Sequence, residues 1–220
     1  MDKKAVTAVS SVLFAAVAAA GTINVPADQA TIAEAITAAS AEDEIVLAVG
    51  THYMDATLLV NKKLTIRGAT GNRDDVIVQP NAGKNISPIF RISTAAGTVV
   101  RDLTIAKANT GYGQAAEINV AASVINCRIT ECRQDGSNCS GLICGANNVA
   151  VTVKDCLFDH NVSDTSGNGI GLYGSYRAGK ISAMVYVQGN NSLIENCTVV
   201  SNSVVGWYVK SNVFLEFHDF

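Results

Sequence analysis

Apolar and polar positions alternate in short runs along most of the chain: "EIVLAVG", "ATLLV", "KKLTIRG", "DVIVQP", "PIFRIS", "VVRDLTI", "AEINVAASVINCRI", "GLICG", "VAVTVKDCLF", "AMVYVQG" and "SLIENCTVV". A two-residue period predicts β-strands, and the Gly, Asn, Asp and Ser between the runs supply the turns. One segment breaks the pattern. In "ATIAEAITAAS", Ile32, Ala35, Ile36 and Ala39 fall on one helical stripe, and Thr31 and Glu34 have capping-box spacing. The spacing predicts a short helix that must lie on something apolar to persist. With no second helical pattern, an alternating βα sheet is disfavoured.

The runs also repeat. With Leu103, Cys127, Cys156 and Cys197 aligned, the preceding residue is Asp102, Asn126, Asp155 or Asn196. Ile105, Ile129, Phe158 and Val199 stand two places later, and Val100, Val124, Val153 and Ile194 three places earlier. Five places later stand Ala108, Cys132, Asn161 and Asn202. The column spacings are 24, 29 and 41 residues, so insertions vary while the phase holds. Same-phase columns are what stacked parallel coils about 4.8 Å apart require. Buried Asn at a bend can bond the next Asn along such a stack. The fold predicted is an all-β, single-stranded parallel β-helix with a short N-terminal capping helix.

Charge and the N-terminus narrow the setting. Lys3 and Lys4, then the alanine-rich run to Ala20, read as a secretory leader cleaved before Gly21. The expected organisation is a signal peptide (1–20), an N-terminal strand and capping helix (21–41), and a β-helix (42–220). Loss of the leader would shift the formal charge from −3 to −4. Without a Lys/Arg block there is no electrostatic footprint for nucleic acid, and no later run suits a membrane span. The expected location is secreted or on the cell surface, in a bacterium.

The stretch "INVPADQATIAEAITAASAEDEIVLAVGTHYMDATLLVNKKLTIRG" resembles the N-terminal region of secreted right-handed parallel β-helix proteins of the pectin-lyase-like superfamily. There a short helix precedes a strand-turn phrase, followed by an "LTI-x-G" strand. Asp43, Ile45, Gly50, Tyr53, Leu64, Ile66 and Gly68 fit; Glu42 and Val49 replace the usual Gly and Pro. The resemblance implies a right-handed coil. Activity is left open, because the superfamily holds polysaccharide lyases, glycoside hydrolases, tailspikes and adhesin-like surface proteins.

A uronate lyase would need an Arg or Lys base and carboxylate neutralisation, often by Ca²⁺. The catalytic candidates are Arg128, Arg133, Asp159 and His160, with Lys107 and Lys154 further cationic positions. Their columns do not form an acidic ladder, so the sequence reads them as solvated charges. A hydrolase would need closely placed carboxylates, and Asp155 reads instead as an Asx bend residue. His52, His160 and His218 form no metal-ligand spacing, so no metal or other cofactor is expected; Ca²⁺ enters only with the lyase alternative. The insertion "DTSGNGIGLYGSYRAGK" offers Tyr173, Tyr176, Arg177 and Lys180 for glycan contact, Tyr rings stacking on sugar faces.

The reading is a carbohydrate-binding, adhesin-like protein with extracellular polysaccharide as partner, a lyase or hydrolase of acidic polysaccharide as the alternative, and a structural, self-associating protein as the second. Cys127, Cys156 and Cys197 are expected as buried thiols, since stacked Cβ atoms stand too far apart for relaxed disulfide geometry. Cys132, Cys139 and Cys144 remain open to a local bridge. The alternating apolar end "WYVKSNVFLEFHDF" shows no polar cap, which predicts either a truncated chain or end-to-end association.

Overall fold

The structure, a computed structural model, describes residues 19–109, 114–134, 142–163, 170–171, 182–189 and 191–204. Residues 1–18, which hold most of the expected leader, Tyr173, Tyr176, Arg177, Lys180, Cys139 and the segment 205–220 lie outside them.

The chain climbs through three parallel sheets in rotation. Sheet 1 runs through Thr22–Val25, Glu44–Leu47, Thr65–Gly68, Thr98–Arg101, Ala122–Ile125, Val151–Lys154 and Leu193–Glu195. Sheet 2 holds Gly50–Met54, Val76–Pro80, Thr104–Ala106, Arg128–Thr130, Leu157–Asp159 and Thr198–Val200. Sheet 3 holds Leu58–Val60, Phe90–Ile92, Ala116–Ile118, Ile143–Asn147 and Val185–Gln188. A narrow strip of Arg133–Gln134, Val162–Ser163 and Ser203–Val204 follows sheet 2. This is the expected all-β parallel β-helix.

The predicted columns are the registers. Val100, Val124, Val153 and Ile194 pair in sheet 1. Ile105, Ile129, Phe158 and Val199 pair in sheet 2. Because side chains alternate across a strand, Val100, Val124, Val153, Ile105, Ile129 and Phe158 point inward and fill one continuous core with Phe90, Ile92 and Ile118 of sheet 3, Ile194 packs against it half-buried, and Val199 is exposed. Burial of each large side chain there contributes about 1.5–3 kcal/mol.

Runs such as "VVRDLTI" that look like single strands are divided between sheets 1 and 2 by one residue at positive φ: Asp102 (58°), Asn126 (48°), Asp155 (55°) and Asn196 (50°). A second such residue turns the chain out of sheet 2: Lys107 (61°), Glu131 (54°), His160 (54°) and Ser201 (54°).

The helix forms at Ile32–Ala38, its capping box intact: the Glu34 amide donates to Thr31 Oγ1 at 3.2 Å and the Thr31 amide to Glu34 Oε2 at 3.0 Å. Ile32, Ala35 and Ile36 are buried against the core. Its C-terminal carbonyls are not left open. Lys62 Nζ donates to the carbonyls of Ile36, Thr37 and Ala39 at 3.1, 2.7 and 2.6 Å, placing a cation at the negative end of the helix. Glu42, which stands where the resemblance has Gly, has φ 73°, the region Gly enters without strain.

Candidate functional site

The two bends hold the outer face of sheet 2 between them. At the first bend the side chains bond one another: Asn126 Nδ2 donates to Asp102 Oδ1 at 2.8 Å, and Asn196 Nδ2 donates to Asp155 Oδ1. Asp and Asn suit this place because their short polar chains tolerate the left-handed backbone. At the second bend the polar ladder lies one residue later and points inward. Asn161 Oδ1 accepts the Cys132 amide at 2.9 Å, and Asn161 Nδ2 donates to the Ile129 carbonyl at 2.9 Å. Asn202 repeats this on the Asn161 amide and the Phe158 carbonyl, both at 2.9 Å. The buried backbone groups that the turn strips from the sheets are thereby satisfied.

Residues 69–75 cross over the first bend as a strap. Arg73 Nη1 donates to the Asp155 carbonyl at 2.7 Å, 82 residues away in sequence. Thr104 Oγ1 donates to the Arg73 carbonyl at 2.8 Å, and Asn126 Nδ2 donates to the Gly71 carbonyl at 3.0 Å. The strap leaves sheet 1 through Gly68, where any Cβ would collide with the Asp102 carbonyl oxygen. It carries Asp74 onto the sheet 2 face.

There the structure brings three of the four catalytic candidates together. Arg128 forks onto Asp159, Nε to Oδ1 at 2.9 Å and Nη2 to Oδ2 at 2.6 Å, while Nη1 reaches Asp74 Oδ1 at 3.3 Å. His160 Nδ1 lies 3.0 Å from Asp159 Oδ2. Burial pushes the Asp159 carboxyl up, but hydrogen bonds from Arg128, His160 and Thr130 outweigh it and hold the group below its ordinary value. The hydrogen bonds to Asp159 in turn raise Arg128 above the ordinary guanidinium value. An ionised carboxylate only accepts, so His160 Nδ1 carries the proton between them. Its Nε2 is then the ring atom left to a ligand.

One expectation is corrected. Asp159 is not a solvated charge: it faces outward in register with Thr130 and Val200, yet its side chain is only 6% exposed because Arg128 lies over it. The side chains of Arg128 and His160 are 31% and 62% exposed, which leaves them as the accessible members. Arg133 stands apart on the Arg133–Gln134 strip, exposed and beyond the Glu131 bend. Lys107 is itself a bend residue, and Lys154 pairs with Glu195 at 3.0 Å. Asp155 is a bend residue, as read from its column. Asp74 escaped the sequence because it lies in an insertion; its only signal was the polar, glycine-flanked turn "GNRDD".

Other outward charges are compensated along the stack. On sheet 1, Arg67 forks onto Glu44 at 2.7 and 3.0 Å, and Arg101 bonds Asp102 at 2.8 Å. On sheet 3, Arg91 bonds Glu117 at 2.9 Å. Among the described residues no group of three or more His, Cys, Asp or Glu could hold a metal ion.

Cys127, Cys132, Cys156 and Cys197 are unbridged thiols that fill or pack against the stack, so Cys132 does not form the local bridge left open above. Burial pushes the Cys127 and Cys132 thiols up to about 12, far from reactive thiolate. Cys156 and Cys197 share a hydrogen bond that, with burial, pushes Cys156 up; it draws Cys197 down.

Compared with known proteins, the chain matches no family model, no curated relative and no solved structure.

Proposed function

We propose that this chain is a secreted or cell-surface β-helix protein of the pectin-lyase-like kind that holds carbohydrate on the outer face of sheet 2 without turning it over. The carrying observation is the Arg128–Asp159–His160 cluster, whose central pair is locked in its charged state. A lyase base must shed its proton, and raising Arg128 makes that harder. A glycosidase acid must hold its proton near neutral pH, and lowering Asp159 prevents it.

What the cluster offers instead is fixed hydrogen-bonding geometry. Arg128 Nη1, bound only at 3.3 Å to exposed Asp74, and the outer nitrogen of His160 are available to vicinal hydroxyls or a sugar carboxylate. Because Asp159 holds both groups, little side-chain entropy remains to be lost on binding.

The convergence of acid, base and cation favours a second reading, a lyase or hydrolase of acidic polysaccharide; Ca²⁺ belongs only to that reading. Calorimetric titration with oligogalacturonate, oligoalginate and a neutral β-glucan oligomer tests the first. At least one should saturate, and Arg128→Gln should weaken it by roughly tenfold, the loss of one charge-assisted contact. No saturation with any of the three would refute it.

A further inference from the structure

The strap over the first bend sets one acidic side chain against the cluster and turns its other charged groups elsewhere. Arg73 Nη1 is given to the Asp155 carbonyl at 2.7 Å, and the Asp75 carboxylate accepts from Thr70 Oγ1 at 2.7 Å and Asn72 Nδ2 at 2.9 Å within the strap. The Asp74 amide donates to Asn72 Oδ1 at 3.2 Å, which fixes the backbone and leaves the side chain without an anchoring task. That side chain, 56% exposed, meets Arg128 Nη1 at 3.3 Å. Removing its charge leaves untouched the bonds from Arg73, Thr104 and Asn126 that fasten the strap.

Arg128 has meanwhile spent Nε and Nη2 on Asp159 at 2.9 and 2.6 Å. One cation thus serves two carboxylates, and with a neutral His160 ring the cluster is net negative. Its accessible hydrogen-bonding groups are one donor, Arg128 Nη1, and two acceptors, the Asp74 carboxylate and His160 Nε2. A ligand carboxylate only accepts. To reach Nη1 it must push Asp74 aside, stand next to that like charge, and leave His160 Nε2 without a donor. A hydroxyl accepts and donates at once, so neighbouring sugar hydroxyls satisfy the donor and the acceptors without displacing either carboxylate.

We propose that Asp74 is a specificity-determining residue, which makes the sheet 2 site select uncharged, hydroxyl-rich sugars and reject uronates. The inference rests on the carbohydrate-binding reading above and narrows its ligand class. Arg128 offers an attraction common to both kinds of sugar; Asp74 is the repulsive element that separates them, and charges at a binding face give specificity more than affinity. The strap makes this possible. It enters sheet 2 at Val76–Pro80, yet it sets Asp74 against Arg128, whose strand Arg128–Thr130 lies two places further along the sheet.

Calorimetric titration of the wild-type chain and of Asp74→Asn with oligogalacturonate, oligoalginate and the neutral β-glucan oligomer tests this. The wild-type chain should bind the glucan at least ~5-fold more tightly than either uronate oligomer. Asp74→Asn should tighten the uronates by ~5-fold and move the glucan by less than ~2-fold. Raising salt from ~20 to ~300 mM should tighten uronate binding to the wild-type chain by screening the repulsion, and the effect should vanish in Asp74→Asn, which a merely structural role for Asp74 would not produce. Uronate binding as tight as glucan binding in the wild-type chain, or a preference unchanged in Asp74→Asn, overturns the inference and leaves the binding reading intact. No saturation of either protein by any of the oligomers overturns both.

Discussion

The two bends beside sheet 2 solve one steric problem in opposite ways. Each places an L-residue at positive φ in four successive coils. At the first bend that residue is always Asp or Asn, and the same side chain makes the bonds that hold the stack. At the second bend Lys107, Glu131, His160 and Ser201 carry the strained backbone, while Asn161 and Asn202 carry the hydrogen bonds one residue later. The first bend therefore constrains its residue type. The second leaves it free to vary, and His160 beside Asp159 uses that freedom. The positive φ of His160 belongs to the architecture, since its three counterparts share it.

The largest break in this comparison is Asn161→Leu. It strips the Cys132 amide and the Ile129 carbonyl of their partner, and urea unfolding should show a loss of about 2–4 kcal/mol. Next is Arg128→Ala, which leaves the buried Asp159 carboxylate with its cation removed. Arg128 is nearly one-third exposed, so about 1–3 kcal/mol is expected, below the range for a fully buried pair. Arg128→Gln combined with Asp159→Asn should recover part of it.

The sharpest contrast comes from one substitution made at both bends. Asn126→Gly removes the bonds to Asp102 and Gly71 and should destabilise by about 1 kcal/mol. Glu131→Gly relieves the left-handed backbone, loses only an exposed contact to Lys107 at 3.9 Å, and should stabilise by about 0.5 kcal/mol. The same sign at both bends would refute the division of labour.

The smallest effect is on acid stability. Asp159 and Glu44 have lowered carboxyl values in the folded protein, so their contribution is fully present above the unfolded values near 4. It is lost as pH falls through the lower folded values. Thermal melts should be level between about pH 5 and 7 and fall below about pH 4, with Asp159→Asn shallower in the acid limb.

The repeat was legible because stacking forces equivalent residues into one environment. Cys127, Cys156 and Cys197 announce a column that only parallel coils explain, and the Asp/Asn column names the first bend. The second bend was legible only through Asn161 and Asn202, since Lys, Glu, His and Ser share no chemistry that marks a turn. The cluster was legible as residue types but not as a site. Arg128 and Asp159 meet diagonally across neighbouring strands, and Asp74 reaches them on a strap fixed to Asp155, 82 residues away. Repeat phase does not reveal where an insertion folds back.

The most direct test of binding without turnover is prolonged incubation with polygalacturonate and alginate, with and without Ca²⁺. Unsaturated uronate absorbance and new reducing ends would be read alongside the calorimetric titration. Saturable binding with neither product is the predicted result. Product that forms with the wild-type chain and disappears with Arg128→Gln or Asp159→Asn would contradict it and assign the cluster to catalysis.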